Sequence, residues 1–444
     1  MKKFLSIVIG KLLVFFLDLI GRGSAMPGNI CYMLNKNILS DFKLPNKIVA
    51  VTGSSGKGST SKVITEVLRK FNYTVCYNDK GSNERSAVIS SLLKCSNLKG
   101  EVKSDICVFE MDERYAKFVF PYIKPTYVVI TNITRDQPPR QGHFDIVFNE
   151  ICKGLSSDIH LIVNGDDPYL QKFNLDNKFN VTYFGSDKLK YSYDKNKFSS
   201  LNITRCLKCH SSLNYNYYNI EYLGDYYCPS CDFKRPDIDY RISSIDYKKN
   251  VLTINNEYEI VVNNNMLFNL YNICASFATL GLFDLDMNKV SSYISELEQD
   301  KKIYNNYKFG DRNVYVLNNK NENATTFNQS VLWASKDKGL KTIVIGWWQI
   351  SRRYDFDDLS WLYDIEFELL NDKSVDKVIV AGPQRYDIAT RLKYANFDEK
   401  KIKICENMEK SKDEISSSKG DIYAIVNFDY IEPFNKVMGE LKWN

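Results

Sequence analysis

Two groups of residues in this 444-residue chain have the types and spacing that chemistry requires. The first is Val51-Thr52-Gly53-Ser54-Ser55-Gly56-Lys57-Gly58-Ser59-Thr60. Gly53, Gly56 and Gly58 let backbone N–H groups approach phosphate oxygens. Lys57 can reach terminal phosphates, and the hydroxyl of Ser59, with Thr60 second, can hold Mg²⁺. The second group is Cys206-Leu207-Lys208-Cys209 and Cys228-Pro229-Ser230-Cys231, with eighteen residues between Cys209 and Cys228. That is tetrahedral thiolate spacing and points to Zn²⁺. Four thiolates leave no open coordination position, so the metal is expected to be structural. The segment between the two pairs is polar and rich in Tyr and Asn. It has little core of its own, and zinc would supply the folding energy of a small β ribbon there.

The elements that must position the first group are legible on either side of it. Lys47-Ile48-Val49-Ala50-Val51 reads as a buried strand. In 62–71, Val63, Ile64, Val67, Leu68 and Phe71 share one helical face. Strand, glycine-rich turn, Lys, Ser/Thr and helix is the layout of a phosphate-binding loop, with the helix N-terminus adding donors. The spacing departs from the standard pattern, with two residues rather than four before Gly-Lys, and glycine follows the lysine. Thr-Gly-x-x-Gly-Lys-Gly-Ser-Thr resembles the nucleotide loop of the Mur ligase superfamily in its folylpolyglutamate-synthase-like spelling. The resemblance implies ATP, and the joining of a carboxylate to an amine through an acyl phosphate.

Further strands are expected at 74–78, 106–110, 127–133 and 160–164, with a helix at 86–93 between the first two. The alternation predicts a doubly wound parallel α/β domain whose ligands sit at the carboxyl ends of the strands. Glu110 ends its strand and is the best carboxylate for Mg²⁺; Asp112 and Glu113 are weaker candidates. In Mur-type ligases a strand-end Glu at this place binds Mg²⁺, which adds to that reading. Thr131-Asn132-Ile133-Thr134-Arg135-Asp136-Gln137 resembles the superfamily's Thr-Asn-x-x-x-Asp-His segment. Gln137 stands where a His is usual, and an amide is a poorer ligand for a second Mg²⁺. Asn164-Gly165-Asp166-Asp167-Pro168 resembles the Asn-Ala-Asp-Asp-Pro turn, and Asn269-Leu270-Tyr271-Asn272 resembles the adenine-contacting helix start, with Asn269 reading the base. On its own, Asn269 reads as a helix cap.

Composition narrows the classes. A chain of this length needs two or three domains. Hydrophobic content of 44% and charged content of 25% are those of a globular protein. A net charge of +5 is small for the length, and Lys208, Lys234 and Arg235 are too few around the ribbon for a nucleic-acid surface. Cysteines 31, 76, 95, 107, 152, 274 and 405 are scattered singly, as in a reducing compartment. Three histidines leave few possible bases for a Ser-His-Asp or Cys-His site. Residues 4–20 are strongly apolar but interrupted by Lys11 and Asp18, which fits a docking or interfacial helix better than a span or a signal peptide.

The last ~130 residues read as a further α/β unit with strands at 313–317, 342–347, 377–381, 402–405 and 421–427. Within it, residues 355–368 interleave acidic and aromatic side chains, which on content alone reads as a loop and solvated helix start. Asp358-Leu359-Ser360-Trp361, Ala381-Gly382 with Arg385-Tyr386-Asp387, and Arg391-Leu392-Lys393-Tyr394 resemble the C-terminal domain of the MurT-type subunits of lipid II isoglutaminyl synthase. The Cys₄ ribbon inserted in a Mur ligase core resembles the same family, as does Gly21-Arg22-Gly23 with Pro27-Gly28. The matches run over about residues 20–440. The resemblance implies a heterodimer with a GatD-type glutamine amidotransferase, and ATP-driven amidation of the D-glutamate α-carboxylate in the lipid II stem peptide. It implies that an Asp of the C-terminal domain completes the partner's Cys-His pair: Asp358 first, Asp355 second. The expected organisation is an N-terminal helical segment at 1–46, an ATP-binding Mur ligase-like domain at 47–309 with the ribbon at about 200–240, and a Rossmann-like α/β domain at 310–444. The expected location is cytoplasmic, with a possible peripheral contact at the inner face of the membrane. A stand-alone amino-acid ligase and a non-catalytic nucleotide-binding scaffold are the competing readings.

Overall fold

The computed structural model describes residues 2–19, 25–78, 82–135, 143–198, 205–297, 304–319, 323–348 and 358–441. Helices α1 (Lys2–Leu19), α2 (Met26–Leu34) and α3 (Ile38–Asp41) come first. Then β1 (Lys47–Thr52), α4 (Lys57–Lys70), β2 (Val75–Tyr77), α5 (Arg85–Cys95), β3 (Ile106–Glu110), α6 (Ala116–Ile123), β4 (Tyr127–Ile130), α7 (Phe144–Cys152), β5 (His160–Asn164) and β6 (Asn180–Ser186) alternate along the chain. Ile48 to Thr52 of β1 are all buried, as a strand covered on both faces must be. That accounts for its unbroken β-branched and apolar run and for its central place in the sheet.

The sheet has nine strands in the order β11-β10-β9-β6-β5-β4-β1-β3-β2. From β6 to β2 every pairing is parallel. β9 (Tyr240–Asp246) adds in parallel to β6, and β10 (Val251–Ile254) and β11 (Tyr258–Val261) extend it antiparallel. Between β6 and β9 the chain forms a separate antiparallel ribbon, β7 (Asn214–Ile220) with β8 (Leu223–Tyr227). Two helices follow, α8 (Leu267–Leu280) and α9 (Met287–Glu296). α8 packs against α4, so the helix after the glycine-rich loop is held from the side as well as by the sheet.

A second, six-stranded sheet runs β12-β13-β17-β14-β15-β16. Its strands are β12 (Tyr304–Phe309), β13 (Arg312–Asn319), β14 (Lys341–Gly346), β15 (Val375–Ala381), β16 (Ile402–Cys405) and β17 (Asp421–Asn427). All pairs are parallel except the β12–β13 hairpin. Helices α10 (Ala324–Lys336), α11 (Arg385–Tyr394), α12 (Lys412–Ser416) and α13 (Ile431–Glu440) accompany it, around a core that includes Val344, Ile379, Ala424 and Phe434.

The chain divides into two compact units, Met1–Ile133 with Asp145–Asp194 and Ile203–Glu298, and Thr134–Phe144 with Lys195–Asn202 and Gln299–Asn444. The three N-terminal helices therefore belong to the first unit. The Gly310-Asp311 pair, expected as a boundary, is the turn of the β12–β13 hairpin, and both its strands lie in the second sheet. Among the described residues no helix is long and apolar enough to cross a membrane.

Candidate functional site

The glycine-rich loop leaves β1 through two backbone conformations that side chains resist: φ is +125° at Gly53 and +82° at Gly56. Space is equally restrictive. A Cβ at Gly53 would stand 2.3 Å from Thr131 Oγ1, and one at Gly56 would stand 2.2 Å from Asn272 Oδ1. The segment after β4 clamps the loop. Asn132 Oδ1 accepts from the Ser55 N–H at 3.0 Å, Asn132 Nδ2 donates to the Ser55 carbonyl at 3.1 Å, and Thr131 Oγ1 donates to the same carbonyl at 2.6 Å. The Ser54 N–H donates to the Asn132 carbonyl at 2.9 Å. The loop is thus shaped by its neighbours, with the first-turn amides of α4 at its end.

Lys57 is buried. Its Nζ donates to the Gly53 carbonyl and to Glu113 Oε1, the latter at 2.8 Å. Glu113 is 1% exposed and Asp112 is 4% exposed, so neither is a solvated loop charge. Asp112 takes a two-point bond from Arg114, at 2.9 Å to each oxygen. Glu110 stays half-buried at the end of β3. Asn78 brackets its backbone N–H and carbonyl at 2.8 Å each, and Asn83 Nδ2 donates to its Oε1 at 3.0 Å. Its other oxygen faces Gly58, where a Cβ would come to 3.1 Å. Gly58 therefore keeps the helix start clear for a carboxylate. Ser59 is half-buried. Thr60 is fully buried, its carbonyl accepts from Ser276 Oγ at 3.3 Å, and its Oγ1 has no hydrogen-bond partner. Of the two hydroxyls, Ser59 is the accessible one. Glu110, Ser59 and the loop amides form an all-oxygen and N–H surface, the donor set that a hard cation and phosphate share.

Asn269 is the third residue of α8 and not its cap. The cap position is Met266, and Asn269 Nδ2 reaches back to the Asn264 carbonyl at 2.9 Å. It is Asn272, one turn on along the same face, that abuts the loop at Gly56.

The Asn164 turn ties the ribbon to the first sheet. Asp166 is fully buried. Its oxygens accept from Arg235 Nε at 2.7 Å, Tyr271 OH at 2.6 Å and the Ser186 N–H at 2.8 Å. Burial pulls this carboxyl up, opposed by Arg235, Tyr271 and the amide. Arg235, counted among the ribbon's basic residues, points inward to this pair, and Lys208 is taken by Asp232 at 3.0 Å. Asp167, next to Asp166, is pushed up to about 8 by burial.

In the ribbon, Cys206, Cys209, Cys228 and Cys231 bring all four sulfurs within 4.8 Å of one another. Cys206 and Cys231 Sγ are 3.5 Å apart, and Cys209 and Cys228 Sγ are 3.4 Å apart. Four thiolates about 2.3 Å from one tetrahedral metal would sit roughly 3.8 Å apart, so the cluster fits an ion at its centre. The amides of Lys208 and Ser230 donate to Cys206 and Cys228 Sγ at 3.3 and 3.4 Å, which steadies each C-x-x-C turn.

In the second unit the acidic segment is two short 3₁₀ turns, 360–364 and 367–370, rather than a solvated helix start. Trp361, Leu362, Phe367 and Leu370 are buried and fix it. Arg391 holds it from beneath, with a two-point bond to Glu368 at 2.8 Å and one to the Ile365 carbonyl at 2.6 Å. Asp358 Oδ1 accepts from the Ser360 N–H at 2.9 Å and from Ser360 Oγ at 2.5 Å. Arg135 donates to Ser360 Oγ and pairs with Asp364 at 3.0 Å. Burial raises Asp358, but the Ser360 donors and Arg135 outweigh it and hold the carboxyl below the usual range. Asp355, Asp136 and Gln137 lie outside the described residues.

Two family models match the chain: the Mur ligase middle domain over residues 51–227 and the MurT ligase C-terminal domain over residues 321–430. A Staphylococcus aureus protein named lipid II isoglutaminyl synthase (glutamine-hydrolyzing) subunit MurT is 28% identical over 417 residues, covering 93% of this chain and 92% of that one. Its Streptococcus pneumoniae counterpart is 27% identical, covering 92% and 90%. Over nearly its whole length the chain is similar to MurT-type Mur ligases. Its fold agrees with that of solved structures. A pseudomurein peptide ligase type C from Methanothermus fervidus superposes with a TM-score of 0.72 at 19% identity, covering 93% of this chain and 84% of that one. MurF from Acinetobacter baumannii superposes with a TM-score of 0.59 at 13% identity, covering 89% and 77%.

Sequence reasoning named Glu113 only as a weaker Mg²⁺ candidate and Arg235 only as a ribbon base, and it missed four contacts. Glu113 pairs with Lys57, Asn83 with Glu110, Arg235 with Asp166, and Asn272 lies against the loop. Only Asn272 had a local signal, its i+3 spacing from Asn269.

Proposed function

We propose that this chain is the ATP-using synthetase subunit of a lipid II isoglutaminyl synthase. It activates the D-glutamate α-carboxylate of the lipid II stem peptide, and a GatD-type glutamine amidotransferase supplies ammonia that converts it to D-isoglutamine. Support comes from a near-full-length match to relatives named as subunits of that enzyme. The observation that carries the chemistry is the loop itself, with Lys57 buried at its base and Glu110 held over Gly58 by Asn83. The place of work is the cytoplasm, at the inner face of the membrane.

Gly53, Gly56, Gly58 and the α4 amides cradle the ATP phosphates, and Lys57 neutralises charge on the transferring group. Mg²⁺, when bound, would be held by Ser59 and Glu110 and would share the phosphate oxygens. Thr60, enclosed by α8, is the second choice. Asn269, beside Asn272 at the start of α8, faces the adenine. The substrate carboxylate attacks the γ-phosphorus in line and ADP leaves. Ammonia then attacks the acyl carbon of the acyl phosphate, and the amide forms as phosphate departs. Asp358 orients and stabilises the partner's catalytic imidazole, with Asp355 the alternative.

The test uses the two-chain complex with glutamine, ATP and lipid II, followed by mass analysis of the stem peptide. Amidated product that needs both chains is expected. Product containing an added amino acid, formed by this chain alone, would make it a stand-alone ligase. Nucleotide binding with no turnover would make it a scaffold.

The Cys206, Cys209, Cys228 and Cys231 cluster holds one structural Zn²⁺. Elemental analysis should find about one zinc per chain, and Cys228→Ser should lose it. The ribbon then becomes the first site of limited proteolysis, because its four partly shielded sulfurs lose their common partner. Full zinc content in Cys228→Ser would refute the site.

A further inference from the structure

Helix α1 is apolar almost all round but covered on one side only. Ser6, Ile7 and Gly10 form the covered side. A Cβ at Gly10 would stand 2.3 Å from Cys31 Sγ and 2.7 Å from Leu93 Cδ1, so the helix lies as close as it can to α2 and α5. Cys31 Sγ also donates to the Ser6 carbonyl at 3.1 Å. This docking fixes the orientation of the opposite side.

That opposite side carries Phe4, Leu5, Leu12, Phe15, Phe16 and Leu19, which are 58, 55, 52, 60, 59 and 70% exposed. At about 100° per residue they fall within a single stripe roughly 120° wide, and no charged residue shares it. Lys11 and Asp18 stand at its edge. Lys11 Nζ donates to the Leu93 carbonyl at 2.6 Å, and Asp18 pairs with Lys94 at 3.0 Å. Beside the stripe an open hollow of about 450 Å³ is lined by Val14, Phe15, Leu19 and Leu93, with Lys11, Asp18 and Lys94 around it. A continuous apolar stripe of this kind marks an interaction site.

We propose that this stripe is a membrane-docking surface that lies in the plane of an anionic phospholipid leaflet. The helix is about 27 Å long, and no described helix is long and apolar enough to cross. Its apolar side can sink about 5–10 Å, to the boundary of headgroups and acyl chains. The charges fit an anionic leaflet. Residues 2–36 carry Lys2, Lys3, Lys11, Arg22 and Lys36 against Asp18 alone, and each base near such a surface adds attraction. The stripe is phenylalanine and leucine, without the tyrosine and arginine that protein partners favour. The hollow offers hydrocarbon walls beneath a charged rim of Lys11, Lys94 and Asp18, which suits a lipid acyl chain. The inference rests on the proposed lipid-linked substrate only for the side of the membrane. It explains how a soluble ATP site would meet an acceptor held in a bilayer.

The experiment is co-sedimentation of the full chain, with its partner, on vesicles of phosphatidylcholine alone and with about one third phosphatidylglycerol. Binding to the phosphatidylglycerol vesicles is expected to exceed binding to the neutral ones. Leu12→Asn with Phe16→Asn should lower it at least about tenfold, and Lys2→Gln with Lys3→Gln should bring it toward the neutral-vesicle level. ATP-dependent turnover on a water-soluble acceptor should be unchanged in both variants. A wild-type chain that stays in the supernatant, or an apolar variant that sediments as well as wild type, overturns the proposal. So does a wild-type chain that self-associates through α1 and is dissociated by Leu12→Asn with Phe16→Asn, since a second copy would then cover the stripe. Loss of vesicle binding with amidation intact refutes this surface alone, whereas vesicle binding without amidation refutes the proposed activity alone.

Discussion

Lys57→Ala is expected to lower ATP-dependent amidation by at least about a hundredfold, the scale of losing one charge-stabilising donor in a closed site. The structure adds a complication that the measurement must separate. Lys57 Nζ pairs with Glu113 at 2.8 Å, and the two side chains are 9% and 1% exposed. Removing the lysine takes the paired cation away from a buried carboxylate, and breaking a buried pair costs about 3–5 kcal/mol. Inactivity in the single variant would therefore report either lost chemistry or lost folding. Lys57→Ala with Glu113→Gln removes both charges of the pair, and the glutamine keeps the shape of the glutamate. Its thermal midpoint should recover toward wild type, while turnover stays at the level of the single variant. Glu113→Gln alone should retain measurable turnover, because Lys57 remains bonded to the Gly53 carbonyl. If the double variant regains both stability and activity, Lys57 serves the loop's structure and not the phosphates.

What the sequence made legible follows the range of the interactions involved. Strand β1, the loop and α4 are contiguous, so apolar runs and glycine spacing located them together. Glu110 was legible because a strand end is a local event. The partners of these residues were not. Asn83, Glu113, Arg235 and Asn272 reach the site through β2–β3 pairing, the β3–α6 turn, the ribbon and the α4–α8 contact. No residue type at those positions announces which distant group it will meet. The β12–β13 hairpin was missed for a different reason. Gly310-Asp311 is a two-residue hairpin turn, but polar Tyr-Asn-Asn-Tyr-Lys-Phe before it lacks the apolar weight of a core strand. That strand lies at the edge of its sheet, where polar residues are tolerated. The acidic stretch after β14 misled in the opposite sense. Its charges suggested solvent, yet Trp361 packs with Phe327 and Trp347 at centroid distances of 5.3 and 5.2 Å and pulls the backbone inward. Only the resemblance to a known C-terminal domain gave that stretch a role before its packing was known.

Asp358→Asn should abolish glutamine-driven amidation and leave ammonia-driven amidation intact. If Asp358 orients the partner's imidazole and stabilises its cation, losing the charge costs on the order of 10⁴ in glutaminase turnover. The carboxyl is suited to that task because it is held as an anion. The Ser360 N–H at 2.9 Å and Oγ at 2.5 Å, with Arg135 beyond, keep it below the usual carboxylate range despite burial. Asparagine keeps an oxygen for both Ser360 bonds, so the turn itself should stand, and partner binding measured by co-elution should persist. The ATP site lies in other elements and should still use free ammonium. Ser360→Ala provides the graded control. It removes the hydroxyl that bridges Asp358 and Arg135, which leaves the charge in place but less firmly aimed. A smaller loss in glutaminase kcat, with ammonia-driven turnover unchanged, is the expected result. If Asp358→Asn retains full glutaminase activity and Asp355→Asn loses it, the partner's imidazole is served from earlier in the same acidic stretch. If neither substitution matters, this chain contributes no carboxylate to the amidotransferase site.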